Sequence, residues 1–345
     1  MSALQNPLPM VPLRFAPIFQ YRLWGGRRLA EVFDAPLPID GPVGEAWILS
    51  DRDNYASRVA DGPLEGRTLR QLLKESADQI LGTYARNVRR FPLLLKFLDA
   101  EQMLSVQVHP SDAHPELLPA GETGKTEAWV VLEAEEQSRI YAGLKPGATL
   151  DTLRGAVTDG TVADGISSFT PKPGDAVFLP SGTVHSLGGG VVVFEIQQNS
   201  DVTFRLYDWN HVDAKTGQPR ALQVDAALSC TDFANGPVHP VTPLVEDTVP
   251  RRERLFRCEQ FSLWRVRSDA PFGVGAVGAA RVLVCIEGAG HVEHPGTGYP
   301  VGRGETILLP AVLGPCVFRP ERMVTLLEIA LPESGVISVD RERRR

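Results

Sequence analysis

The chain is poor in cysteine, and its four cysteines are scattered: Cys230, Cys258, Cys285 and Cys316 all lie in the last third, about thirty residues apart. Zinc ribbons and redox pairs need short cysteine spacings, so both are excluded, and buried free thiols in a reducing cytoplasm are expected. Long apolar runs are also lacking; none approaches the roughly 18 residues of a membrane span. The N-terminus has no basic stretch followed by an apolar core, so no signal peptide is expected. Positive charge is in deficit, with 35 Lys and Arg against 42 Asp and Glu for a net of −7. That balance excludes a general nucleic-acid surface, and the Arg-rich ending at 341–345 reads as a solvated tail. No Gly-rich dinucleotide fingerprint is present, which leaves no sign of a redox cofactor.

What remains is turn-rich and strand-rich. Thirty-two Gly and 28 Pro in 345 residues break the chain into short segments, and Val, Ile, Leu and Phe runs between them predict strands. The clearest are Phe91 to Leu98, Leu104 to His109, Ala128 to Glu133, Ala176 to Leu179 and Val191 to Gln197. Helical periodicity is confined to Leu69 to Ala85, Thr149 to Val157 and Ala221 to Leu228. Many strands with few helices predict a mainly β protein of sandwich or barrel type. Gly174-Asp175-Ala176-Val177-Phe178-Leu179-Pro180 returns as Gly304-Glu305-Thr306-Ile307-Leu308-Leu309-Pro310, an internal repeat that predicts two related barrels. A Pro-rich stretch (236–250) reads as a linker between residues 1–235 and 251–345. Only the first repeat continues into a histidine, His185; Pro315 falls there in the second, which is therefore expected to be a degenerate copy.

The polar residues inside these strands carry the chemistry. Strand side chains alternate, so Ser105, Gln107 and His109 share one face opposite Val106 and Val108. That pattern fits either a solvated outer face or a polar interior. Lys125 and Glu127 share a face that continues into Trp129 and Val131, as at a barrel mouth above a packed interior; a surface ion pair is the plain alternative. His185 follows a Gly turn. Gln107, His109, Glu127 and His185 together offer an amide oxygen, two imidazoles and a carboxylate, the donor mix of an open catalytic site for a borderline divalent metal. Glu195 lies inside an apolar strand, where an unpaired carboxylate is costly. Arg205 shares a face with Thr203 and Tyr207, placed for either a Glu195 ion pair or an oxygen of an anionic ligand.

These residues stand in segments that strongly resemble the type I phosphomannose isomerases. They are Phe91-Pro92-Leu93-Leu94-Leu95-Lys96, Leu104 to Pro110, Gly124-Lys125-Thr126-Glu127, Pro180 to His185, and Gln197 to Asp201 leading to Arg205-Leu206-Tyr207-Asp208. Trp24-Gly25-Gly26 and Gly44-Glu45-Ala46-Trp47 fit upstream, and the order is kept over roughly residues 15 to 210. The resemblance is to the short bacterial form, without the large helical insertion of longer members. It implies two cupin barrels, the second non-catalytic, and one zinc ion per chain held by Gln107, His109, Glu127 and His185. It also implies Arg205 as the active-site arginine, with Lys96, Lys125 and Glu195 lining the pocket and Trp24 and Glu45 matching more loosely. Ser105 joins Lys96, Trp24 and Glu45 as an expected substrate contact. The implied reaction interconverts mannose 6-phosphate and fructose 6-phosphate through an enediol, with a phosphorylated hexose as ligand and a cytoplasmic monomer or homodimer as the working form. Glu195 and Lys125 are both candidates for the proton-transfer base. A cupin isomerase of other or broader sugar specificity and a non-catalytic sugar-binding cupin are the rival readings; Lys125, Glu195 and Arg205 beside the metal donors argue against the second.

Overall fold

A computed structural model describes residues 7–331; the basic ending at 341–345 lies outside them. The predicted strands form as Leu93–Ala100, Val106–Val108, Glu127–Ala134, Ala176–Leu179 and Val191–Gln198. A six-stranded sheet runs in the order Ala176–Leu179, Glu127–Ala134, Val191–Gln198, Leu93–Ala100, Ile18–Gly26, Val43–Leu49. A five-stranded sheet runs Ile166–Phe169, Ile140–Leu144, His185–Leu187, Val106–Val108, Phe204–Tyr207.

Alternation divides each strand between two cores. Leu98, Trp129, Val131 and Val193 of the six-stranded sheet share one apolar cluster with Ile140, Ala142 and Leu187 of the five-stranded sheet, so the two sheets pack face to face. Their neighbours Phe97, Val130, Phe194 and Ile196 point the other way, into a cluster that also contains Leu263, Val282, Leu327 and Ile329. Those last residues belong to a seven-stranded sheet of the C-terminal half. A four-stranded sheet covers its far face through Phe272, Val292 and Phe318. The order through the protein is therefore five-, six-, seven- and four-stranded sheet, with Val106 and Val108 packed outside the first against Leu153 and Leu228 of two helices. The mainly β expectation holds, with few helices. No helix among the described residues is long and apolar enough to cross a membrane.

The repeat is visible as structure. Thr306–Leu309 pairs with Arg281–Glu287 as Ala176–Leu179 pairs with Glu127–Ala134. The first half also lends a strand to the second: Leu13–Arg14 pairs with Thr306–Leu309, and Leu244–Glu246, from the Pro-rich stretch, lies at the opposite edge of the same seven-stranded sheet.

Helix Leu69–Leu81 starts at a Thr68–Gln71 capping box and buries Leu69, Leu72, Leu73, Ile80 and Leu81, worth about 1.5–3 kcal/mol per side chain. It stops short of the expected Ala85 because Gly82 takes φ +60° at its end, where a Cβ would sit 2.1 Å from the Gly278 carbonyl oxygen. The third helix is Val224–Cys230 rather than 221–228, since the Gln223 amide is tied to the Arg205 carbonyl at 2.9 Å. Gly25 and Gly44 of the upstream motifs let two strands touch: a Cβ on Gly25 would lie 2.2 Å from the Gly44 nitrogen.

Candidate active site

The inner faces of the five- and six-stranded sheets carry the polar residues at one end of their shared core. His185 and Gln107 are register partners on adjacent strands, and Arg205 is the partner of Gln107 on its other side. Cross-strand partners point to the same face, so all three look toward the six-stranded sheet. Opposite them, Lys96, Glu195 and Trp129 stand in register across the three central strands, and Glu127 lies two residues before Trp129 on the same face. The polar face of the 105–109 segment is an interior one.

His109, Glu127 and His185 bring one donor atom each to within 4.8 Å of one another, and all three are buried. His109 Nδ1 lies 2.9 Å from the Val202 carbonyl and His185 Nδ1 lies 2.9 Å from the Thr183 carbonyl. A carbonyl only accepts, so each Nδ1 carries the proton and each Nε2 presents a lone pair. Those lone pairs face Glu127: His185 Nε2 is 3.1 Å from Oε1 and His109 Nε2 is 3.4 Å from Oε2. Neither Glu127 oxygen accepts a well-directed hydrogen bond. Apart from the Lys125 ammonium, 2.8 Å from Oε2, no proton lies between these converging electron pairs, and such an arrangement deep in the protein suits a further cation. The three residues therefore fit a metal ion. Burial, and next Lys125, push His109 down to about 3, which keeps its ring neutral and able to ligate. The Gln107 amide reaches both rings, 3.5 Å from His109 Nε2 and 3.4 Å from His185 Nε2, and its oxygen accepts from Ser105 Oγ at 3.1 Å. Ser105 thus reaches the site through Gln107.

Lys125 Nζ sits 3.1 Å from His109 Nε2. Burial opposes its charge, but Glu127 and then Glu195 outweigh this and lift it above the ordinary lysine range. Glu127 is held well below the carboxylate range: burial would raise it, and Lys125 followed by His109 overcomes that. Glu195 goes the other way, raised by burial and by the negative charge of Glu127. Trp129 Nε1 donates to Glu195 Oε2 at 2.8 Å, and Lys96 Nζ is 3.3 Å from Oε1. Lys96 is also 3.8 Å from Glu45 and lies over the Trp47 ring at 5.2 Å. Glu45 accepts from Trp47 Nε1 at 2.6 Å and from Arg22 at 3.0 Å. Of the two readings of Arg205, the Glu195 ion pair does not form; Lys96 pairs with Glu195 instead, because the two strands that flank Glu195 carry Lys96 and Trp129. The Arg205 side chain has no hydrogen bond or ion pair with any described residue, and its Nε is buried without a partner. Burial, and then Arg220, lower its pKa.

Trp24 is in the apolar core below this cluster, against Leu98, Ala100 and Trp129, rather than among the polar groups. Arg22 escaped the reading of the sequence, although its alternation with Trp24 places both on the inner face; the indoles of Trp47 and Trp129 were legible as face neighbours but not as donors. A separate surface groove of about 1110 Å³, lined in part by Arg251, Arg265, Arg267 and Arg303, shares no residue with the His–Glu–His cluster. That cluster is the one grouping of three His, Cys, Asp or Glu donors among the described residues. The C-terminal half carries a short helical turn, Ala311–Leu313, after its Pro310 instead of a ligand-bearing strand.

Fold and site together define a cupin-type protein with a buried His–Glu–His cluster able to hold a metal ion. Residues 13–131 match the family described as phosphomannose isomerase type I, catalytic domain. The chain is 33% identical over 313 residues to the probable mannose-6-phosphate isomerase GmuF of Bacillus subtilis, covering 88% of this chain and 94% of that protein. It is 34% identical over 305 residues to mannose-6-phosphate isomerase ManA of the same organism, with coverages of 88% and 94%. The crystal structure of the mannose 6-phosphate isomerase from Bacillus subtilis superposes with TM-score 0.85 at 28% identity, over 93% of this chain and 99% of that one. The chain belongs to the type I mannose-6-phosphate isomerase family.

Proposed function

We propose that this chain interconverts mannose 6-phosphate and fructose 6-phosphate, with one zinc ion held by Gln107, His109, Glu127 and His185. The observation that carries this reading is the convergence of two imidazole lone pairs on an unsatisfied, buried carboxylate. Gln107 supplies a fourth donor once its terminal amide turns over, which exchanges oxygen and nitrogen at nearly the same point. When bound, the ion supplies a positive charge that polarises a sugar carbonyl and stabilises the enediolate that follows.

The chain's own residues divide the rest. Glu195 is the base that moves the proton between C2 and C1. Its raised pKa suits it to hold and return a proton, while Lys125, kept cationic by Glu127, suits the developing oxyanion instead. Trp129 and Lys96 orient the two Glu195 oxygens. Arg205, without a protein partner, takes the substrate's phosphate. Residues 1–235 form the catalytic unit in this reading and 251–345 the non-catalytic one, joined through the Pro-rich stretch at 236–250; the protein works in the cytoplasm. A coupled assay on mannose 6-phosphate before and after exhaustive chelation tests the proposal. Turnover is expected to vanish with the ion and return with added zinc; full turnover in metal-stripped protein would defeat it.

A further inference from the structure

The segment that follows Phe204–Tyr207 has no part in the reaction outlined above. Trp209 and Asn210 both take left-handed backbone conformations, φ 52° and 56°, which turn the chain out of the sheet. The base of the excursion is well fixed. Trp209 Nε1 donates to the Leu104 carbonyl at 2.7 Å, and its ring packs edge-on against Tyr207. Asp208 and Arg220 close the neck, with Nε to Oδ2 at 2.8 Å. Beyond the neck, Val212–Asp213 and Gln218–Pro219 pair as a small hairpin whose residues 214–219 are all exposed.

The tip reaches the other sheet at Tyr21. The Tyr21 hydroxyl donates to Asp213 Oδ1 at 3.1 Å, and Lys215 Nζ lies 3.3 Å from the centre of the Tyr21 ring. Both ends of this bridge flank the site: Arg205 precedes Asp208 by three residues on one side. On the other, Arg22 follows Tyr21 and bonds Glu45, which neighbours Lys96. The hairpin therefore spans from the five- to the six-stranded sheet beside the unpartnered Arg205. An anchored base and a tip held by two surface contacts make a segment that opens at its tip without disturbing the core.

We propose that residues 208–220 are a clasp over the sugar site, and that Tyr21 is the positioning residue that fastens it when a sugar phosphate lies against Arg205. This rests on the isomerase reading. Closure excludes water from the guanidinium, which strengthens its hold on a phosphate, and weak fastening lets substrate enter and product leave.

The test uses zinc-loaded, full-length wild type, Tyr21→Ala and Lys215→Ala. Hydrogen exchange of residues 208–220 is followed alone, with fructose 6-phosphate and with inorganic phosphate, beside steady-state kinetics. Fructose 6-phosphate should slow exchange of the wild-type hairpin. Removing both Tyr21 contacts should speed hairpin exchange and raise KM roughly 5- to 10-fold with kcat changed far less, and with zinc content unaltered. Lys215→Ala, at an exposed position, should shift KM the same way by less. A contact that is merely structural would lower the melting temperature and leave KM alone. Unchanged KM in both variants, beside an active wild type, overturns the clasp while the isomerase reading stands. A wild type inert toward mannose 6-phosphate removes that reading instead; the clasp is then supported by hairpin protection with either phosphate probe and overturned by its absence.

Discussion

Lys125 Nζ lies 2.8 Å from Glu127 Oε2, with the two side chains only 5% and 1% exposed. A buried pair of this kind repays its desolvation only where the remaining lone pairs are satisfied, and here Glu127 also faces two imidazole nitrogens. Lys125 is thus an internal counter-charge at a site whose donors outnumber its protons.

Lys125→Met should therefore destabilise the ion-free protein by about 3 kcal/mol, because Glu127 is left as an uncompensated buried charge. Added zinc should raise the melting temperature more in the variant than in wild type, since ion binding supplies the missing charge. Melting curves against zinc concentration decide the matter; equal increments in both proteins would mean that Lys125 and the ion site are uncoupled.

Arg205→Ala should lose roughly 10²- to 10³-fold in kcat/KM while keeping its zinc, the scale of removing one charged donor from a preorganised site. Metal analysis beside kinetics separates this from collapse of the centre. Wild-type kinetics in the variant would take Arg205 out of the reaction.

Glu45 gives a pH dependence of stability. Burial would raise its carboxyl, but Lys96 first and Arg22 next outweigh this and hold it at about 2. A carboxylate depressed on folding contributes fully above its ordinary pKa of 4.5 and loses that contribution as pH falls toward 2. Denaturation midpoints should accordingly fall across this window in wild type, and Glu45→Gln should flatten the fall by an amount on the order of 2–3 kcal/mol. Parallel pH profiles for the two proteins would disprove the assignment.

The thiols should be nearly inert. Burial pushes Cys230 and Cys285 up to about 12 and Cys258 up to about 11, so little thiolate exists near pH 8. Disulfide reagents should label the native protein slowly and all four cysteines of the chain rapidly in guanidinium. Fast native labelling of Cys285 would contradict its burial.

The site was legible where strand alternation governs it. Parity alone grouped Ser105 with Gln107 and His109, and Lys125 with Glu127, because side chains two apart on a strand must share a face. Parity could not say which face was interior, and that ambiguity stood until Val106 and Val108 were found packed against Leu153 and Leu228 on the outside. Glu195 was conspicuous as a carboxylate in an apolar strand, yet its partner was not legible: Lys96, about a hundred residues earlier, is adjacent only in the sheet. Trp24, a loose match to a pocket residue, belongs to the core because its large ring fills the space between the sheets.

By itself the sequence determined the mainly β character, the repeat, the family resemblance and the donor types that suit a metal ion, all of which follow from local periodicity and short motifs. Tertiary structure alone decided that Glu45, Lys96 and Glu195 form one charged ladder, that Tyr21 meets Asp213 and Lys215, and that Leu13–Arg14 completes a sheet almost 300 residues away. Those relationships depend on strand order and register across the sheets, and long-range pairing of that kind leaves no local trace in the chain.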